Sequence, residues 1–397
     1  MRARILPLLA AFSSAACLSR PDVTNLHADA VVYTYPDAED PDPDALGFMD
    51  AELDGGVLDT GARDIGFNDG APIDVGTPPD SGGPDAMVAD LGSPDLGVPD
   101  TGPRDPLMGV GALTRINYGL QIPEGPTWRP DNTLVFTDIA TQNIYQTQPP
   151  NYSPVNILVS SDDAANGLAN APNGDLFACQ HNARRVARYQ FAGMSNTVSA
   201  FADHWQGHLF NSPNDLVVRA DGFVYFTDPP YGLRGRPREI PFNGLFSVSS
   251  TGAVTAEWRG QAMTATLTDS LPNGVDLSPD EHTLYMSDSA SSIVHAFDVL
   301  PNGHLSNERT LFRARGNAAD GIGIDVDGNL WVATSSGVEV WSSQARYWGL
   351  LRMPAGITPG NIQFGGTDRR TAYIAGRNIP GNTGSIYWVT VTIPGAH

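Results

Sequence analysis

The chain has almost no cysteine, little positive charge, no long apolar run and no sustained helical periodicity, and each shortage removes a class of answer. Only Cys17 and Cys179 occur in 397 residues, so an exported domain of this size has no internal disulfide framework. Lys and Arg number 23 against 44 Asp and Glu, a net charge of −21, which argues against nucleic acid as a partner. The apolar stretch near the N-terminus is too short for a membrane span. There is no Gly-x-Ser-x-Gly elbow, which argues against a serine hydrolase, and no Gly-rich phosphate loop. His204 and His208 are four apart, but Gly207 between them and the missing helical pattern make a zinc pair unfavourable. The stretch DVDGN from Asp325 lacks the acidic residue that would complete a calcium loop and reads as a hairpin turn.

What is present divides sharply along the chain. Residues 21–106 hold 20 Asp and Glu against two Arg, with dense Pro and Gly, whereas the remainder holds 24 against 18 and nearly all the aromatics. Asp recurs every five residues from Asp54 to Asp74 and again from Asp80 to Asp105. Such a segment repels itself and buries too little apolar surface to offset the entropy of ordering, so 18–106 is expected to be a disordered acidic linker. As a coil it would span about 50 Å. The first residues, MRARILPLLAAFSSAAC, have two Arg, a short apolar core and small residues before Cys17. They predict an export signal over 1–17 whose ending resembles a bacterial lipobox, with Cys17 the lipidated first residue. The expected location is the outer membrane or cell surface, otherwise the periplasm or medium, with the lipid the sole membrane contact.

From Leu107 onward the pattern is period-two alternation broken by turn residues, which predicts an all-β domain over 107–397. One unit recurs six times, beginning at Glu124, Asn166, Asn214, Asn273, Asp320 and Asn361, at intervals of 41 to 59 residues. Each has a polar residue at a strand entrance, a short strand, a turn and a second strand that often ends in Asp. That interval is the length of a four-stranded blade, so the expected fold is a six-bladed β-propeller, with ALTRIN near Ala112 closing the last blade. In a propeller the first strands line the central channel, so the six entrance residues should converge at one mouth. Carboxylate and amide oxygens without thiols suit a hard cation, calcium above all, with Zn2+ or Mn2+ as other divalent candidates.

These motifs resemble the gluconolactonase and senescence-marker-protein (regucalcin) family of calcium-dependent propellers. The resemblance rests on Glu-Gly-Pro-Thr-Trp at 124, Ser-Pro-Asn-Asp at 212, Thr-Asp-Pro-Pro-Tyr-Gly at 227, Pro-Asn-Gly-Val at 272, Asp-Gly-Ile at 320 and Phe-Gly-Gly at 364. It implies a metal held by Glu124, Asn273 and Asp320, with Asn214 beside it as a further ligand or substrate contact. Ser212 stands where sugar-lactone-binding members carry Arg, so specificity is expected to depart from theirs.

The implied activity is metal-assisted hydrolysis of a lactone or related ester, with a small-molecule substrate and a monomeric enzyme. Asp320 is the expected general base or nucleophile. His181, at the end of the second strand in its unit, is the candidate second base. Asn166, Asn214, Ser212 and Tyr231 are the expected substrate contacts, and Asp228 and Asp288 are expected to cap turns or support ligands. Two other readings remain open at this stage, a phosphotriesterase-like hydrolase and a non-catalytic propeller that binds a sugar or protein.

Overall fold

The structure is a computed structural model that describes residues 102–116, 118–192, 195–261 and 269–397. The expected signal over 1–17, Cys17 and nearly all of the expected linker lie outside the described residues. The folded unit begins at Pro103, and within it Arg104 Nε donates to Asp327 at 2.9 Å.

Six antiparallel four-stranded sheets follow one another around an axis. Their innermost strands are Pro123–Trp128, Ala165–Asn170, Leu216–Val218, Pro272–Leu277, Ile322–Ile324 and Thr358–Gly365, in blades 1 to 6. Each innermost strand touches the next, and that of blade 6 touches that of blade 1, so the ring is closed. Thr114–Arg115 pairs with Thr383–Thr390 as the outer strand of blade 6, so the start of the domain completes its last sheet. Closure leaves no free sheet edge along the axis.

Burial falls from the axis outward, which explains the residue pattern of each blade. Second strands such as Leu134–Asp138 and Val224–Asp228 are buried at every position because both faces meet a neighbouring blade. Outer strands are wetter, and Ser195–Ala202 is exposed along most of its length. The core therefore consists of layers between blades. Phe210, Phe226 and Phe246 form one such layer, with ring centroids 5.0 to 5.5 Å apart, and burying a side chain of that size contributes roughly 2–3 kcal/mol.

Near the axis the backbones approach too closely for side chains. A Cβ on Gly274 would stand 2.6 Å from Gly321 Cα of the next blade, and one on Gly167 would stand 2.8 Å from Asp215 Cα. The Asn-Gly and Asp-Gly pairs therefore mark close approach of neighbouring strands, and not turns. Hydroxyls on the second strands fix the mouth residue of the next blade. Thr137 Oγ1 donates to Asn166 O at 3.0 Å, Thr227 Oγ1 to Asn273 O at 2.6 Å, and Ser287 Oγ to Asp320 O at 2.6 Å. Blade 2 has the buried Cys179 at that place, and Gly167 N–H donates to Asn214 O at 2.8 Å instead. Burial and the nearby carboxylates of Asp215 and Asp228 push the Cys179 thiol up, which keeps it inert.

Candidate active site

Glu124, Asn166, Asn214, Asn273 and Asp320 occupy the same step of five innermost strands. In blades 1, 2 and 4 a break in strand register sits at this step, between Glu124 and Thr127, Ala165 and Leu168, and Pro272 and Val275. Such bulges turn a side chain out of the ladder, here toward the channel mouth. In blades 3 and 5 the polar residue lies just ahead of the named strand, with Asn214 N–H donating to Thr227 O at 2.8 Å and Asp320 N–H to Ala333 O at 2.9 Å.

Blade 6 departs from the expected pattern. Gly321 N–H donates to Gly360 O at 2.8 Å, repeating the bond from Gly167 N–H to Asn214 O. The sixth ring position is therefore Gly360, and Asn361 lies one residue deeper, in register with Asp215. The expected ring of six polar entrances is corrected to five. The longer Glu124 fills the gap, since its carboxylate lies where a Cβ of Gly360 would be and is hydrogen-bonded by Asn361.

The ring carboxylates are shielded and crowd one another. Burial lifts Glu124 to about 7, against the pull of Arg377, the Gly125 N–H and Asn361. Asp320 is held well above the carboxylate range by burial and then by the Glu124 charge, while Arg377 and a hydrogen bond from Asn273 oppose the rise. Asp215, beneath the ring, is lifted to about 7 by burial, with the Glu124 charge adding to the rise and the Leu216 and Val275 N–H groups opposing it. Among the described residues no group of three His, Cys, Asp or Glu side chains is spaced to hold a metal. The expected set is of another kind, two carboxylates with amide oxygens. Crowded carboxylates beside amides are a donor set that a divalent cation fits, because it removes their repulsion and satisfies their oxygens.

The other expected site residues take more varied places. Asn273 Nδ2 donates to Ser289 Oγ at 3.0 Å, and the Tyr231 hydroxyl is within hydrogen-bonding reach of both. Burial pushes that phenol up, so it stays protonated, although the Tyr231 side chain as a whole is 42% exposed. Its ring thus stands at the opening with its hydroxyl turned in. Asn166 Nδ2 donates to Asn214 Oδ1 at 3.1 Å and lies 3.3 Å from His181 Nε2. Burial, with Arg234 and Arg236, lowers His181 to about 3, so the ring is neutral near neutrality and a poor proton acceptor. Asp228 and Asp288 hold the loops that enter the mouth, through Asn211 and Ser212 N–H at 2.7 Å and through Leu271 N–H at 2.8 Å.

Ser212 is fully buried, and its hydroxyl donates to Pro229 O at 2.7 Å and accepts from Gly232 N–H at 2.8 Å. Its hydrogen-bonding capacity is thus used inside the protein, pinning the turn that carries Tyr231. A Cβ on Gly232 would stand 2.5 Å from His181 Cβ and 2.9 Å from Ser212 Cβ. Gly232→Ala should therefore displace this turn and lower kcat/KM about tenfold, with a destabilisation of about 1–2 kcal/mol. Unchanged kinetics alongside a lowered melting temperature would separate the turn from the site.

Arg377 and Ser289 were not expected, yet a signal for them exists. Leu168 pairs with Ala178, Val275 with Met286 and Ile362 with Ile374. Three residues after each of those partners stand His181, Ser289 and Arg377. They form an outer tier around the mouth, acting respectively on Asn166, on Asn273, and on Glu124 with Asp320. Aligning the six units one residue past the second strand would have found them. His204 and His208 flank a short hairpin in which Trp205 pairs with His208, away from any shared ligand geometry. Asp325 caps its own turn through Asn329, as DVDGN predicts.

Residues 122–377 match the family described as the SMP-30/Gluconolactonase/LRE-like region. A gluconolactonase of Zymomonas mobilis is 31% identical over 288 residues, 66% of this chain and 78% of that protein. A regucalcin of Xenopus laevis is 26% identical over 64% of this chain and 82% of its own. Among solved structures, a gluconolactonase of Xanthomonas campestris superposes with a TM-score of 0.62 at 26% identity, covering 72% of this chain and 91% of that one.

Proposed function

The chain belongs to the SMP-30/gluconolactonase/LRE-like family, and on that premise we propose that it is an enzyme that hydrolyses lactones with the help of a divalent cation at the channel mouth. The observation that carries this reading is the shielded Glu124–Asp320 pair set among Asn273, Asn214 and Asn361. The relatives named gluconolactonase supply the substrate class, and the regucalcin relative supports a divalent ion, for which calcium is our choice.

Glu124, Asn273 and Asp320 would hold the ion, with Asn214 beside them. When bound, it supplies Lewis-acid polarisation of the lactone carbonyl. The chain's own groups do the rest. Asp320 takes the proton of the attacking water, whose oxygen bonds to the carbonyl carbon. The ring C–O bond then breaks, and the departing alkoxide regains a proton to give the hydroxy acid. Tyr231, protonated and turned toward Asn273, hydrogen-bonds the substrate. His181 is assigned a positioning role, its neutral ring fixing the amide of Asn166 and through it Asn214. Ser212 acts on specificity only through the turn it pins. We also assign the protein to the cell envelope, tethered through Cys17.

Purified protein should hydrolyse members of a panel of sugar and aliphatic lactones, lose that activity on chelation and regain it with calcium. Equal rates with and without chelator would remove the cation from the mechanism. Inactivity across lactones combined with turnover of phosphotriesters would move the reaction to another ester class.

A further inference from the structure

The far end of the channel holds a second polar chamber. A cavity of about 510 Å³ is bounded by the trailing ends of the innermost strands, at Trp128 and Arg129, Asn170, Val218, Asp276 and Gln363, together with Arg369. That volume lies in the range of small-molecule sites, roughly 300–1,000 Å³. These residues lie at the opposite ends of the strands from the mouth ring, so the chamber is distinct from the site above.

Its polar groups are unsatisfied in a particular pattern. Asp276, 2% exposed, uses Oδ1 to accept from Leu277 N–H at 2.8 Å, but Oδ2 has no hydrogen-bond partner. Asn170 Oδ1 is likewise unpartnered, although its Nδ2 donates to Trp128 O at 2.9 Å. Arg129, 8% exposed, leaves Nε without a hydrogen-bond acceptor, its nearest carboxylate being Asp131 at 3.8 Å. The half-buried Arg369 guanidinium forms no hydrogen bond or salt bridge with any described residue. Buried polar atoms left unmatched cost about 1–3 kcal/mol each, so this pattern calls for a complementary ligand.

We infer that this chamber binds a small hydroxy carboxylate, the carboxylate received by Arg369 and Arg129 and the hydroxyls donating to Asp276 Oδ2 and Asn170 Oδ1. Two guanidinium groups repel a metal cation and an ammonium group alike, which sets a hydroxy acid above a zwitterion. The single carboxylate of Asp276 disfavours inorganic phosphate, whose every oxygen presents negative charge. Trp128 and Val218 supply apolar wall for the carbon chain. Lactone opening yields a molecule of this class, so the chamber is placed to sense product, but the inference stands whether or not the mouth is catalytic.

The test is titration calorimetry of sodium gluconate into full-length Glu124→Gln protein, whose mouth site is disabled. One-to-one binding is expected, weakened about tenfold or more by Arg369→Gln and by Asp276→Asn, as loss of a charge-assisted hydrogen bond implies. Arg370→Gln, exposed and outside the chamber, should leave binding unchanged. Absence of gluconate binding, equal binding of sorbitol or serine, or binding indifferent to Arg369→Gln would overturn the proposal. Arg369 is half-buried on a surface turn, so its variant keeps the test decisive even if Asp276→Asn fails to fold.

Discussion

Asp320→Asn is expected to lower kcat/KM on a hydrolysable lactone by about 10³-fold or more, and at the same time to raise the melting temperature of the chelated protein at pH 8. The first effect follows from losing both a cation ligand and the proton acceptor, each typically worth factors of 10²–10⁴. The second follows from charge. Asp320 sits with Glu124 and Asp215 in a shielded ring where each carboxylate raises the proton affinity of its neighbours. With no cation present and all three ionised, that repulsion opposes folding by an amount on the order of a few kcal/mol. Neutralising one member relieves it, while the amide keeps the shape of the side chain. Glu124→Gln should behave the same way, because Glu124 reaches over Gly360 to complete the same ring. Lactonase assays and thermal melts on the two variants, with and without chelator, decide the matter. Activity within tenfold of the parent, or a lower melting temperature after chelation, would remove these residues from the proposed centre.

Chelated protein should lose stability as pH rises from about 4 to about 7, and excess calcium should flatten much of that slope. Glu124 and Asp215 have folded-state values near 7, against roughly 4 in an unfolded chain. Between those values the folded state keeps protons that the unfolded chain has released. The slope of unfolding free energy with pH is therefore negative in that window: stability is greatest below about pH 4 for these groups and is lost as pH climbs to about 7. One group shifted by about three units corresponds to at most about 4 kcal/mol, and their shared field makes the combined loss smaller than the sum. A cation at 100 times its Kd returns about 2.7 kcal/mol. Asp162 and Asp228, also lifted to about 7 by burial but set in the entrance loops, account for the slope that calcium leaves behind. Denaturant titrations at pH 5, 6, 7 and 8 measure both parts. A stability that rises across this window in chelator would refute the assignment.

The sign of that second effect was not readable from composition. The net charge of −21 comes mostly from residues 21–106, whereas the carboxylates that govern the mouth are three residues carried by separate blades. Their consequence depends on burial, which a count of Asp and Glu does not contain.

The amino-acid sequence by itself determined the architecture and most of the mouth. Alternation with period two is a local property, and its recurrence at 41 to 59 residues requires identical blades, which can bury their faces only against each other. A polar residue at the same point of each repeat must then return at the same height of the ring, and so Glu124, Asn166, Asn214, Asn273 and Asp320 could be read together. Only the tertiary structure decided what depends on one backbone meeting another. It moved the sixth position from Asn361 to Gly360, spent the hydroxyl of Ser212 on the turn below Tyr231, and set Asp215 beneath Glu124. It also made His181 neutral by burying it beside two arginines, aligned Arg377 with the ring carboxylates, and left Asp276 without a partner at the far end. Each of these turns on a bulge, an approach within 3 Å or a desolvated charge, and such quantities exist only after distant segments have packed.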